Sequence, residues 1–146
     1  MIYYSTWYWS AIHILTTIPK FQNAKSIAER LGLNEVFVRE CLQTLEALNV
    51  VKSSNGNYKT TSDFIHLPKT SPMNSVQHAN WRTQAVLTSQ NLQNSGLHYT
   101  VVQSVSEKDY EEIKDYFLQM ISGYRKTADK SKEEELVCFT LDFFKV

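Results

Sequence analysis

Apolar residues recur at helical spacing from the first turns of the chain onward. Trp7, Ala11, Ile14, Leu15 and Ile18 fall at i, i+4, i+7, i+8 and i+11, which predicts a helix over residues 4–18 with one apolar face, closed by Pro19. Ile27, Ala28 and Leu31 mark a shorter helix over 24–31. Gly32 follows it with the backbone freedom a helix end needs, and Asn34 carries the short oxygen-bearing side chain that caps the next helix. Over 35–49 the set Val38, Cys41, Leu42, Leu45 and Leu48 keeps the helical period. Residues 50–54 and 58–61 then read as two strands around Asn55-Gly56-Asn57, because Asn-Gly tolerates the positive φ of a tight hairpin turn. Helix, short helix, turn, longer helix and hairpin, in that order, make the layout of a winged helix-turn-helix.

The second half repeats the alternation on a larger scale. After a connection rich in Ser, Thr and Pro over 60–74, a helix is expected over 75–93 with Trp81, Ala85, Thr88 and Leu92 on one side, stopped by Asn94-Ser95-Gly96. Residues 97–105 are β-branched and roughly alternating, hence a strand. Ser106 then caps a long helix reaching 128, with Asp109 as its short-armed capping-box partner and Tyr110, Ile113, Phe117, Met120, Ile121 and Tyr124 as the buried face. The charged run 130–135 reads as a solvated connection. Over 136–144, Val137, Phe139, Leu141 and Phe143 alternate with Cys138, Thr140 and Asp142, the pattern of a last strand. The expected fold class is therefore α+β in a single domain, 1–146: a winged-helix subdomain at 4–62, then a helix and a β-α-β unit at 73–146.

At 146 residues, with 42% hydrophobic and 12% aromatic content, the chain is able to bury a core without disulfide or metal staples. Cys41 and Cys138 both sit in apolar-periodic segments and read as small buried hydrophobes in a reducing compartment. No apolar run approaches the ~18 residues of a membrane span, and the N-terminus lacks the basic region and cleavage site of a signal peptide. Cytoplasmic location, with no membrane partner, is the expectation. Tyr3, Tyr4, Tyr8 and Trp9 cannot all point the same way as Trp7, Ile14 and Ile18, so they are expected at the interface of a two-fold homodimer. The competing reading is that the second half folds back over them, Phe117 and Tyr124 supplying the cover.

Charge alters the functional picture. Lys+Arg and Asp+Glu are both 15, for a net charge of zero, whereas dedicated DNA-binding domains are usually basic. A local patch would suffice for double-stranded DNA. Arg39 and Gln43 on the third helix have the donor geometry to read guanine and adenine, with Lys25, Lys52, Asn55 and Lys59 placed for phosphate. Glu35, Glu40 and Glu46 share the outward side of that helix and oppose phosphate. The alternative is a protein-interaction or signal-sensing module with a degenerate winged helix and no DNA contact. Catalytic chemistry is not expected. His13, His66, His78 and His98 are scattered without ligand spacing, only four glycines are present, and there is no phosphate loop or nucleophile elbow, so no catalytic residue, cofactor or metal is assigned.

The stretch Tyr4-Ser5-Thr6-Trp7-Tyr8-Trp9-Ser10-Ala11-Ile12, then Ile27-Ala28-Glu29-Arg30-Leu31-Gly32 and the Leu42-Leu45-Leu48 helix, resembles a bacterial paralogous family described from Fibrobacter and Bdellovibrio, whose C-terminal domain has no known function. The junction Thr100-Val101-Val102-Gln103-Ser104-Val105-Ser106 and the closing Leu141-Asp142-Phe143-Phe144 extend the resemblance over nearly the whole chain. These are hydrophobic signatures, not catalytic ones. The resemblance implies a transcriptional regulator, often with a further N-terminal helix-turn-helix segment that is not found here. Were that segment the DNA reader, this chain would be the dimerisation or sensing part. The family brings no catalytic or ligand residues to carry over.

Overall fold

A single 3-10 turn, Ile2–Tyr4, sends two tyrosine rings inward before the first helix begins. The computed structural model describes residues 2–61 and 67–146; residues 62–66, with His66 and the expected subdomain edge at 62, lie outside the described residues. Helix α1 (Trp7–Leu15) is shorter than the 4–18 expected from its periodicity. The Thr16 and Thr17 hydroxyls donate to the carbonyls of His13 and Ile14 at 2.6 and 2.7 Å, and the backbone tightens to i−3 bonds before Pro19. Of the expected face, Ala11, Leu15 and Ile18 are buried, joined in the core by Trp9 and Ile12, while Trp7 and Ile14 are half-buried.

Local chemistry sets the next elements. The Asn23 side chain accepts from Ser26 N–H at 2.9 Å to start α2 (Ala24–Leu31), and Gly32 at φ +65 ends it with Leu33 N–H bonded to the Ala28 carbonyl. Asn34 Oδ1 then accepts from the N–H groups of Val36 and Phe37 to start α3 (Glu35–Ala47). Asn49, at φ +58, turns the chain out of α3 into the hairpin β1 (Val51–Ser54) and β2 (Asn57–Thr60). Asn55 and Gly56 both have positive φ, and the antiparallel register is Val51↔Thr60, Lys52↔Lys59, Ser53↔Tyr58 and Ser54↔Asn57. A 2.6 Å bond from Tyr58 N–H to the Gln22 carbonyl ties the hairpin to the loop before α2.

The core lies among α1, α2, α3 and the hairpin, with Ile12, Leu15, Ile27, Val38, Leu42 and Leu45 fully buried. Truncating any one of these leucines or isoleucines to Ala removes about 2–5 kcal/mol. His13 is buried with them. Its Nδ1 meets the Tyr3 hydroxyl at 2.8 Å and its Nε2 meets the Thr60 hydroxyl at 2.9 Å, so one imidazole joins the opening turn, α1 and β2.

The second half is built differently. Helix α4 (Met73–Ser89) lies on the outer side of α1: Trp81 meets Trp7 edge-to-face at 6.4 Å, and Asn80 Nδ2 donates to the Tyr4 carbonyl at 3.2 Å. The helix stops before Leu92, which is left exposed instead of sharing the Trp81 face. Helix α5 (Glu107–Ala128) starts where Ser106 Oγ accepts from Asp109 N–H at 3.0 Å, as its cap chemistry predicts. None of its residues is buried.

The expected β-α-β unit is not formed. Among the described residues the only sheet is β1–β2, and no backbone hydrogen bond joins 97–105 to 136–144. The closing segment instead runs back along α5 and across α4. Phe139 meets Tyr124, Phe143 stacks on Tyr110 at 4.8 Å and meets Phe117 edge-on at 5.2 Å, and Asp142 receives a two-pronged ion pair from Arg82. Glu135 reaches Arg30 on α2 at 2.9 Å. Phe117 and Tyr124 are thus used by the closing segment, not by the opening aromatics. Cys138 is exposed, whereas Cys41 is buried as expected.

Overall, five α-helices and one two-stranded antiparallel sheet give a mixed α+β chain among the described residues. No helix among them is long and apolar enough to cross a membrane.

Candidate nucleic-acid interface

The hairpin alternates cleanly. Val51, Ser53, Tyr58 and Thr60 turn toward the core, while Lys52, Ser54, Asn57 and Lys59 stand in solvent. Lys52 and Lys59 are directly opposite each other in the register. Like charges in that position destabilise a sheet on their own. Among the described residues neither ammonium has a carboxylate within ion-pair distance. Asn55 lies exposed at the tip of the same hairpin.

On α3, Arg39 and Gln43 are one turn apart and exposed, so they share an outward face. Arg39 is not free on that face: its guanidinium donates to Glu35 Oε1 at 2.6 Å, an i,i+4 pair in which both side chains are about half exposed. Exposed pairs of this kind hold by only about 0.3–0.5 kcal/mol, little enough for a competing anion or base edge to displace. Lys25 is exposed in the first turn of α2 and has no ion pair among the described residues. All six expected contact residues therefore stand in solvent. The fold pairs Lys52 with Lys59 across the hairpin and Arg39 with Gln43 along the helix, and sets Lys25 apart on α2.

Glu46 does something the periodicity did not reveal. Its Oε1 accepts from Ser53 N–H at 2.8 Å and from the Ser53 hydroxyl at 2.6 Å, fixing β1 against the end of α3. Those two bonds hold its carboxyl below the usual carboxylate range. The carboxylate keeps its charge, so Glu35, Glu40 and Glu46 all remain anionic on α3. Only a register linking Glu46 to Ser53 seven residues later would have exposed this from sequence, and that depends on where the helix ends.

The four aromatics expected at a dimer interface are taken up inside the protomer. Tyr3, Tyr4 and Trp9 are 6%, 4% and 6% exposed, and Tyr8 packs edge-on against Phe37 at 5.0 Å. Burial pushes the Tyr3 phenol far above its ordinary range, and pushes the Cys41 thiol up to about 11 with help from Glu40. Neither group is a nucleophile near neutral pH. No cluster of three or more metal-ligating side chains occurs among the described residues.

Across the whole of residues 1–146, the chain matches the family described as a domain of unknown function, DUF4423. It belongs to the DUF4423 family. No curated protein and no solved structure matches this DUF4423 domain. The membership fixes no chemistry, so any function for the DUF4423 domain rests on the geometry of α2, α3 and the hairpin.

Proposed function

We propose that residues 2–61 form a winged helix that docks on double-stranded DNA, as part of a transcription regulator. In this reading α2 and α3 are the helix-turn-helix, α3 lies in the major groove, and β1–β2 is the wing. The observation that carries it is the cross-strand Lys52–Lys59 pair, two cations side by side on the solvent face of the hairpin with no carboxylate in ion-pair distance among the described residues. Such a pair costs stability unless a polyanion spans it, and phosphates flanking a groove do so. Arg39 and Gln43 would supply the base contacts once Arg39 exchanges Glu35 for guanine. Lys25 at the start of α2 would add a phosphate contact.

Glu35 and Glu40 on the exposed side of α3 favour a second reading, in which the same face docks a protein and no DNA is bound. Binding of a labelled duplex pool by the whole chain separates the two. Lys59→Ala should weaken all duplexes about equally and reduce the salt slope by about 1, while Arg39→Ala should cost about 1–3 kcal/mol and relax sequence preference. Unchanged affinity in both variants contradicts the DNA reading.

A further inference from the structure

Every residue that is buried among the described ones lies between Tyr3 and Val51. The half from Leu67 to Val146 contains a 17-residue and a 22-residue helix yet buries nothing fully. Its apolar side chains are not few. Leu97, Tyr99 and Val102 are 97%, 84% and 86% exposed, and Val137 and Phe144 are each 68% exposed. The whole stretch 91–109 stands in solvent. Two segments of strand-like sequence, 97–105 and 136–144, also leave their backbone groups without backbone partners among the described residues. Alternating apolar strands with unpaired edges are templates for another strand.

We infer that a second copy of this chain covers these surfaces: the 97–105 segment of each protomer adds as a strand beside the 136–144 segment of its partner, over the aromatic face of α5. Three features single out a copy. The accessible surface is 10905 Å², whereas a compact monomer of 16.9 kDa exposes about 7,700 Å². Burying half of that excess of roughly 3,000 Å² on each of two copies gives an interface of about 3,000 Å², the size of obligate homodimers. The two segments are of equal length, both alternate, and neither has a backbone partner among the described residues, so the exchange covers one edge of each segment. Finally, 97–105 contains no Asp, Glu, Lys or Arg, and 136–144 contains only Asp142, already paired with Arg82, so no like charges oppose the contact. Phe139 and Phe143 hold the closing segment on α5 by their rings, and of its backbone carbonyls Leu141 receives a bond from Arg82.

This assembly does not depend on DNA binding, and its test contains no nucleic acid. Sedimentation of the whole chain at tens of micromolar should give twice 16.9 kDa, about 34 kDa; a species at 16.9 kDa overturns the proposal and leaves the surface to a different partner. Tyr99→Glu with Val102→Glu alters two side chains that the protomer leaves in solvent, so it should dissociate the dimer while the helical circular dichroism of the 2–61 unit persists. A variant that stays dimeric refutes the role of the 97–105 strand. Amide exchange of the wild-type chain gives an independent reading: slow exchange across 97–105 is expected, and exchange at the rate of free peptide overturns the shared sheet.

Discussion

His13 shows how one residue holds the first half together. Its two ring nitrogens join Tyr3 and Thr60, so His13→Ala leaves a buried phenol without its partner as well as a cavity. A loss of about 2–4 kcal/mol is expected in urea unfolding, against about 1 kcal/mol for Tyr3→Phe, which removes only the hydroxyl. Glu46 acts on the hairpin through charge. Its folded pKa is depressed by the two Ser53 bonds, so its contribution is present above the unfolded carboxylate range and is lost as pH falls through the folded value. Thermal unfolding of the wild type should therefore weaken in acid, below about pH 4, and Glu46→Gln should be less stable at pH 7 with a flatter acid profile. Equal acid slopes in the two proteins would contradict the Glu46–Ser53 clamp. Neither His13 nor Glu46 stood out in the sequence, because what they do depends on contacts made after the chain has turned back on itself.

Among the elements, those with local chemistry were legible in advance. Asn34 and Ser106 each cap the helix that follows, and Asn55-Gly56 makes the tight turn, because these signals need only a few neighbouring residues. Ala11, Leu15 and Ile18 follow the face expected of the first helix, whereas Trp7 of α1 turns to Trp81 of α4, because a second apolar contact smears a one-faced period. The strand patterns at 97–105 and 136–144 were legible as patterns, whereas their pairing is not a local property. The closing segment is held to α5 largely through rings. Phe143→Ala removes the contacts to Tyr110 and Phe117 and should cost the α5 unit about 1–3 kcal/mol. Limited proteolysis should then cut within 107–128 while the 2–61 unit stays intact; simultaneous loss of both would show that α5 is coupled to the first core instead.

At the scale of the whole molecule, a buried core of three helices and a hairpin is joined to an open half whose surfaces are unfinished in one copy. That division explains why the aromatic content misled the sequence reading. The excess rings near the N-terminus are absorbed by the core and by α4, while the apolar surface left over lies elsewhere, on 97–105 and the closing segment. The zero net charge was a fair warning against a broadly basic domain, yet it concealed a local pair of cations on the hairpin. Binding of a random-sequence duplex to the chain across a range of salt concentrations tests the central functional claim most directly. With Lys25, Lys52 and Lys59 each neutralising one phosphate, log K should fall against log salt with a slope of about −2.7 per domain, and about twice that for a two-domain complex. A flat dependence, or no binding at low salt, would contradict DNA docking by this domain.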